Sequence, residues 1–279
     1  KLDLTYKYEH LSERIEHIND LLNNNSPFSE VLKNSKKSLI IIGNSAINYR
    51  DGKEVLNACS EIAKKYNVAN NNFNGFNILQ QDISKVGAID IGFYNNDFAQ
   101  NFDQNIKNHI NKFKPVVFLL SSDEINHSIL EDGFIVYLGH HGDVLAQLAD
   151  IVLPTPAYTE KSSTYMNMEG RVLQTTRCYH PLGVSKEEWK IFRALSNNFS
   201  QKLKFNNLSE LRNEISNLFP AFKEINNLPI TSKLDFGSST KIENRALEYN
   251  IKNFYMTDVI SRASITMANC SREILNKVA

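Results

Sequence analysis

Residues 158–171 gather most of the side chains that could carry chemistry. The stretch follows a strand-like apolar run that two prolines end, because proline cannot donate a hydrogen bond to a β-ladder. Glu160 and Glu169 could form a carboxylate pair for acid–base work, and Asn167 and Arg171 could bind a phosphate group. A polar loop at the end of a buried strand is the usual place for ligand contacts in an open α/β sheet. The alternative is a loop whose polar groups only satisfy one another.

Two neighbouring histidines, His140 and His141, are the next candidates. In an extended chain, adjacent side chains point to opposite faces, so we do not expect the pair to ligate one metal ion. No other His or Cys lies nearby at a ligand spacing. The pattern therefore predicts no metal site here and a histidine that hydrogen-bonds the backbone at a tight turn.

The cysteines and glycines exclude several other kinds of site. Cys59, Cys178 and Cys270 are scattered and show no C-x-x-C spacing, which predicts reduced thiols and not a disulfide framework. An iron–sulfur cluster usually takes four thiolates, so the usual ligand set is missing. The sequence also lacks G-x-G-x-x-G and G-x-x-x-x-G-K-[ST], which leaves a nucleotide site unsupported.

Four apolar runs predict the strands that position the polar loop. They fall at residues 38–43, 115–120, 134–138 and 150–153. Their alternation with helical or loop crossovers is typical of a doubly wound, mostly parallel α/β sheet. We predict such a domain over residues 1–180. A more helical and extended part, residues 181–279, is expected to pack on it and on partners.

Three helix starts can be predicted from capping patterns. Asp51 with Glu54, and Ser185 with Glu188, resemble capping boxes, in which two side chains satisfy the free N–H groups of a first helical turn. Asp258 is predicted to cap the last helix of the chain.

The composition limits the kinds of partner. Among 279 residues, Lys+Arg 31 balance Asp+Glu 31, and the formal net charge is +0. Nucleic acid and anionic membrane surfaces attract a basic surplus, so neither is predicted as a partner. Near-zero charge suits a subunit with protein partners. No apolar run approaches the roughly 20 residues that span a bilayer, so direct membrane insertion is not expected.

Several motifs resemble the molybdopterin oxidoreductase fold. They are the run Ala149–Pro154 followed by Glu160, Thr164, Asn167 and Glu169-Gly170-Arg171. Other motifs resemble a branch of that fold without molybdenum, the C-terminal half of the large iron–sulfur subunits of respiratory complex I. These motifs are Asp3–Tyr6, Pro27–Ser29, His140–Asp143, Tyr158–Ser162, Asn167–Arg171, Glu188–Ile191, Phe254–Asp258 and Ile260–Ser264. Together they cover nearly the whole chain in order.

The resemblance implies which side chains would line a pterin groove. In molybdopterin enzymes the matching loop contacts the cofactor, and the corresponding residues here are Glu160, Thr164, Asn167, Glu169 and Arg171. Ser163 stands where those enzymes usually have glycine, which restricts a close backbone approach. The complex I branch keeps this loop as structure, so we expect the five residues to be a vestigial site. No catalytic, cofactor-binding or metal-binding residue is then expected in the chain.

The resemblance also implies a function. The chain would be a structural part of NADH:ubiquinone oxidoreductase, an enzyme in which it carries no catalytic residue itself. It would lie on the matrix side of the mitochondrial inner membrane. Its partners would be the cluster-bearing N-terminal half of the same subunit, on a separate chain if the subunit is split, and other peripheral-arm subunits. Iron–sulfur clusters and FMN are expected in those partners, and no cofactor in this chain. Two alternatives stay open: a cofactor-binding fragment of a formate-dehydrogenase-like molybdopterin oxidoreductase, and a free nucleotide-binding protein.

Overall fold

The computed structural model describes most of the chain and divides it into two compact units. Described are residues 5–70, 72–83, 85–93, 102–122, 125–229, 236, 241–247, 251 and 253–275. Unit 1 comprises residues 1–86, 166–171 and 227–250, and unit 2 comprises residues 87–165, 172–226 and 251–279. Asp3 and Leu4, part of the resemblance, lie outside the described residues.

Unit 1 is built around one long helix and a short parallel sheet. Its helices are α1 (Ile18–Leu22), α2 (Phe28–Asn34), α3 (Asn44–Ile47) and α4 (Gly52–Lys65). Its strands are β1 (Ile40–Gly43), β2 (Ala69–Asn70), β3 (Phe73–Asn74) and β4 (Phe76–Leu79). β1 pairs with β4 in parallel, and β2 pairs with β3 antiparallel.

The core of unit 1 lies along one face of α4. Val55, Cys59 and Ile62 follow each other at helical spacing and are 1%, 4% and 4% exposed, so α4 buries one apolar face. Burial raises the pKa of the Cys59 thiol to about 12, and Cys59 therefore packs as a protonated thiol. Ile242 joins the same core. The part of residues 221–253 that is described thus supplies a core side chain to unit 1, although its sequence shows few periodic signals.

Unit 2 contains a three-stranded parallel sheet. Its strands β5 (Val116–Leu120), β6 (Phe134–Gly139) and β7 (Ile151–Pro154) lie in the order β5-β6-β7. β6 is central, and its residues from Ile135 to Gly139 are buried, which explains its continuous apolar run. Two further strands, β8 (Thr164–Met166) and β9 (Val172–Gln174), form a two-stranded sheet.

Helices make up much of the remaining described chain. They are α5 (Lys85–Asp90), α6 (Phe102–Phe113), α7 (Val144–Leu148), α8 (Glu188–Leu195), α9 (Leu208–Leu218), α10 (Val259–Arg262) and α11 (Ile265–Ile274). Within the described part of the chain, no helix is both long enough and apolar enough to cross a membrane.

The predicted α/β class with mostly parallel strands and a helical C-terminal part is confirmed. The four predicted strands are all present, but they belong to two sheets, since β1 pairs with β4 in unit 1 while β5, β6 and β7 pair in unit 2. The boundary at residue 180 stays a prediction.

Both predicted capping boxes are wrong, because in each of them one carboxylate forms an ion pair with a distant side chain. Asp51 occupies the N-cap position of α4, yet its side chain caps no N–H and pairs with Arg245 instead. The helix predicted to start at Ser185 begins at Glu188, whose carboxylate lies 2.6 Å from Lys161 Nζ. Asp258 does cap a helix, because its side chain accepts from the N–H groups of Ile260 and Ser261, but that helix is the short α10. The last described helix, α11, is capped by Ser264, whose side chain accepts from the Met267 N–H, so the prediction that Asp258 caps the last helix is wrong.

Candidate functional site

The carboxyl edge of the β5–β6–β7 sheet holds a cavity of about 560 Å³. Ser121 follows β5 and His140 follows β6, and both line the cavity together with Tyr158 from the polar loop after β7. The remaining lining residues are Asp258, Val259, Ile260, Ser261, Ser264 and Met267. Side chains meet here because the carboxyl ends of parallel strands share one edge, which is where open α/β sheets bind ligands.

The two histidines face each other at this edge. His140 Nδ1 lies 2.7 Å from His141 Nδ1, so one ring donates and the other accepts a hydrogen bond. The prediction that they point apart is wrong, because the chain bends directly after β6 and the extended alternation ends there. No group of three or more potential metal ligands occurs in the described ranges.

His140 is held neutral by its surroundings. Partial burial lowers its pKa, and the nearby His141 and Lys161 lower it further, against a smaller opposite effect of Glu188 and Glu160. A positive charge on both rings would break the Nδ1–Nδ1 hydrogen bond, since both Nδ1 atoms would then be donors. The edge therefore presents a hydrogen-bonded imidazole pair in which His140 resists protonation.

We expect His140 to titrate at lower pH in the folded chain than in the unfolded chain, where histidine has a pKa of about 6.5. The unfolded chain then binds more protons below that pH. The contribution of His140 to stability is therefore present above about pH 6.5 and is lost as the pH falls through its lowered pKa. Histidine ring NMR signals, with and without urea, measure both values. The variant His141→Ala should raise the pKa of His140 only part of the way to its unfolded value, because burial is the larger cause of the shift. Equal pKa values of His140 in the folded and the unfolded chain would contradict this prediction.

In unit 2, the two candidate side chains of the polar loop bond within the chain. Glu160 Oε2 accepts the Ala157 N–H at 3.0 Å and so closes a single helical turn. Thr164 Oγ1 accepts from Arg212 Nε at 3.2 Å, and Arg212 Nη2 also donates to the Ser163 carbonyl at 3.4 Å. Arg212 was not identified from the sequence, because it comes from α9, 48 residues after Thr164.

In unit 1, the other three candidate residues form one tight turn. Asn167 Oδ1 accepts from the N–H groups of Glu169 and Arg171, both at 3.0 Å. Asn167 Nδ2 donates to Glu169 Oε2 at 3.1 Å, and Arg171 Nε lies 3.9 Å from the same carboxylate oxygen. Gly170 has a φ of +80°, a conformation that glycine adopts without strain. These contacts are what an Asn-centred turn needs for its own geometry.

The five residues are thus a poor fit to a pterin. Each of the five side chains has a hydrogen-bond or ionic partner within the chain. Glu160 and Glu169 have separate partners and lie in different units. Ser163, where the cofactor-binding enzymes usually have glycine, is held by Thr175 Oγ1 through its N–H at 3.0 Å. The loop has the hydrogen bonding of a structural element, and we derive no redox step from it.

A C-terminal segment, residues 253–275, closes the cavity. The sequence alone does not predict that this segment lies at the sheet edge. Its helices α10 and α11, together with their N-cap residues, supply six of the nine lining residues. Arg262 Nε donates to Asp143 Oδ2 at 2.8 Å, and Asp143 Oδ1 accepts from Val144 N–H at the start of α7. The Val144 N–H and the Arg262 guanidinium lower the pKa of Asp143. The ion pair therefore fastens the segment to the loop that follows β6.

Substitution of Arg262 by Ala should loosen this segment. The two side chains are 26% and 25% exposed, so we expect a local loss of about 1 kcal/mol, near the upper end for partly exposed pairs. Chymotrypsin should then cut faster at Phe254, which is already 67% exposed. Arg272→Ala is the matched control, because the hydrogen bond of Arg272 Nη2 among the described residues is local, to Asn269 within α11. Equal cleavage rates for the two variants would show that the Asp143 pair does not hold the segment.

Comparison with known proteins decides the family. The profile of the molybdopterin oxidoreductase family matches residues 1–198. The chain belongs to the molybdopterin oxidoreductase family. A second profile, that of the C-terminal part of the G subunit of NADH-ubiquinone oxidoreductase, matches residues 227–270 of this family member. The resemblance drawn from the motifs is therefore confirmed.

Curated relatives of this molybdopterin oxidoreductase family member carry complex I names. The NADH-ubiquinone oxidoreductase 75 kDa subunit of Reclinomonas americana is 36% identical over 274 residues, which is 96% of this chain and 39% of that protein. The G subunit of the NADH-quinone oxidoreductase of Rickettsia bellii is 35% identical, over 95% of this chain and 37% of that protein. The mitochondrial NADH-ubiquinone oxidoreductase 78 kDa subunit of Candida albicans is 38% identical, over 86% of this chain and 34% of that protein. The chain thus spans less than two fifths of each of these relatives.

Proposed function

We propose that this chain is a structural part of the large iron–sulfur subunit of respiratory complex I. It supplies folded surface for assembly of the peripheral arm, and electrons pass from NADH towards ubiquinone through clusters and FMN held by other parts of the complex. Its partners are the cluster-bearing part of the same subunit and other peripheral-arm subunits, on the matrix side of the mitochondrial inner membrane. The names of the relatives support this assignment.

The observation that carries the structural role is the state of the polar loop. A cofactor-binding loop offers donors and acceptors to its ligand, whereas each of the five candidate side chains here bonds to a partner within the chain. The segment that closes the sheet edge overlaps residues 227–270, which match the profile of the complex I G subunit and not the molybdopterin profile. Both features favour a complex I scaffold over a cofactor-binding fragment of a formate-dehydrogenase-like enzyme.

Co-migration on a native gel tests the proposal. The tagged chain, expressed in its source cells, should run with the band that oxidises NADH, and that band should contain no stoichiometric molybdenum. A chain that runs apart from NADH-oxidising activity would overturn the complex I role. Molybdenum at one atom per chain would instead support the formate-dehydrogenase-like alternative.

A further inference from the structure

A loop in unit 2, residues 177–187, exposes large apolar side chains. Tyr179, Leu182 and Val184 are 73%, 77% and 78% exposed, among the highest values for apolar residues in the described chain. Single exposed apolar residues are common, but three within six positions form a patch of the kind that binds other proteins. A partner that covers these side chains would remove apolar surface from water, which favours association.

Backbone hydrogen bonds hold this loop in one shape. At its start, the N–H groups of Arg177 and Cys178 donate to Ser162 Oγ at 3.1 Å and to the Thr159 carbonyl at 2.9 Å. At its end, Lys186 N–H donates to the Pro154 carbonyl at 3.1 Å. Because the loop is already fixed, a partner that binds it would order few residues, which favours affinity.

A tight turn places the apolar side chains at the tip. Ser185 N–H donates to the Leu182 carbonyl at 3.2 Å, and Gly183 between them has a φ of +56°. Glycine reaches this conformation without strain, and the turn carries Leu182 and Val184 on either side of it. The loop thus presents two aliphatic side chains on a rigid tip.

A basic pocket of about 200 Å³ lies beside this tip. Arg177, His180, Lys186 and Lys190 contribute the cationic or protonatable side chains of its lining. Glu187 is the acidic lining residue, and it is only 8% exposed.

The acidic residue does not neutralise the pocket. Glu187 accepts a hydrogen bond from Trp189 Nε1 at 2.6 Å and pairs with Lys190 Nζ at 3.1 Å. Within the described ranges, the side chains of Arg177 and Lys186 make no hydrogen bond or ion pair, and the buried Ser185 Oγ has no hydrogen-bond partner. Two cations and one hydroxyl therefore remain available to an anionic group, and the guanidinium fork of Arg177 matches a carboxylate.

We propose that this tip and pocket dock an acidic segment of a partner protein, with one Asp or Glu carboxylate in the pocket and apolar side chains covering Leu182 and Val184. Charge complementarity supports this occupant, since cationic side chains lie beside the apolar tip, and interfaces combine apolar contacts with patches of opposite charge on the two partners. The inference deepens the proposed function, in that the partner is sought among the neighbours of this chain in complex I. The docking chemistry itself does not depend on the identity of that complex.

Amine footprinting tests the docking surface on the native assembly. Lys186 should be acetylated about tenfold more slowly in the purified assembly than in the purified chain, because only the undocked fraction reacts. The exposed Lys202, also in unit 2, serves as the internal reference. A zero-length carbodiimide reagent should link Lys186 or Lys190 to an Asp or Glu of another chain. Equal acetylation of Lys186 in chain and assembly would overturn the inference.

Two variants separate docking from folding. Arg177→Glu with Lys186→Glu should reduce the share of chain found in the assembly by about tenfold, and Leu182→Ser with Val184→Ser should act in the same direction. Thermal stability of the purified chain should not change. Leu182 and Val184 are solvent-exposed, and the exposed side chains of Arg177 and Lys186 have no polar partner among the described residues. Lys202→Glu with Lys204→Glu is the charge-matched control. Assembly that tolerates both loop variants as well as it tolerates the control would refute docking here.

The outcomes distinguish this inference from the proposed function. A chain that runs with NADH oxidation while Lys186 stays reactive would overturn the docking surface and leave the complex I role standing. A chain protected at Lys186 in a different assembly would do the reverse. Protection of Lys186 in the purified chain by anionic lipid vesicles, or by self-association at high concentration, would also count against an acidic protein segment.

Discussion

Substitution of Asp51 by Ala is expected to lower the free energy of unfolding of unit 1 by about 3–5 kcal/mol, the usual cost of removing one partner from a buried ion pair. Asp51 and Arg245 are 3% and 13% exposed at their side chains. Arg245 Nη2 and Nε lie 2.9 and 3.0 Å from Asp51 Oδ1, and the other carboxylate oxygen accepts the Glu243 N–H at 3.0 Å. Alanine would leave a buried guanidinium without its counter-charge and a backbone N–H without its acceptor.

The remaining contacts of Arg245 cannot compensate for that loss. Its Nη2 also donates to the Ala46 carbonyl at 2.9 Å, and its guanidinium stacks 3.9 Å from the centre of the Tyr49 ring. Both contacts hold the cation in place and add to its burial. We therefore expect Asp51→Ala together with Arg245→Met to recover part of the stability, because it removes the unpaired charge.

Hydrogen exchange at the amides of α4 is the appropriate measurement. The single tryptophan, Trp189, lies in unit 2, whereas the amides of α4 report on unit 1 directly. Asp51→Ala should speed exchange across Gly52–Lys65 in proportion to the lost free energy. Glu61→Ala is the control, since Glu61 pairs with Lys64 on the surface at 49% exposure for each side chain and should cost less than about 1 kcal/mol. Similar exchange rates in the two variants would contradict the prediction.

The strands and the main core helix could be predicted because their signals are local. A run of apolar residues such as 134–138 needs two covered faces wherever it lies in the chain, and α4 shows its buried face at a spacing of three to four residues. The family motifs have the same advantage, since residue identities in order are enough to detect them. Neither inference requires knowledge of which distant segment covers the element.

The misassigned capping boxes show where local patterns fail. Asp51 and Glu188 lie at positions typical of capping boxes. Each carboxylate pairs with a cationic side chain that lies outside the local sequence pattern. Arg245 lies 194 residues from Asp51, and Lys161 lies 27 residues before Glu188. For Asp51, leaving the buried Arg245 unpaired would cost about 3–5 kcal/mol, more than the roughly 1 kcal/mol of a cap, so the long-range partner decides the rotamer.

The sequence predicts which residues belong to the candidate site, but it does not predict which other segments contact them. The polar loop lies at the end of β7 as expected, and the hydrogen bonds of Asn167 follow from the turn preference of asparagine. The facing of His140 and His141 depends on a bend after β6, and the closure of the sheet edge depends on helices more than a hundred residues later. Sequence spacing contains no information on either.

Substitution of Gly52 by Ala is the second change with a large expected effect, a loss of about 3 kcal/mol at the upper end of typical overpacking costs. A Cβ atom at Gly52 would lie 1.8 Å from the Ile47 carbonyl oxygen and 2.7 Å from its carbon. Both are backbone atoms at the end of α3, so no side-chain rotation can relieve the overlap. The turn between α3 and α4 would have to open, and the Gly52 N–H would lose its hydrogen bond to the Tyr49 carbonyl, now 2.9 Å.

Gly43→Ala provides the matched control in the same unit. Gly43 has a φ of −69°, and the nearest atom to its Cβ position is Ser45 Oγ at 3.9 Å, so this variant should change stability by less than about 1 kcal/mol. Comparable hydrogen exchange in the two glycine variants would refute the overlap argument. The variant carrying both Asp51→Ala and Gly52→Ala should lose less than the sum of the two single losses. Opening the α3–α4 turn admits water to Arg245, and a hydrated guanidinium no longer needs Asp51 as its counter-charge.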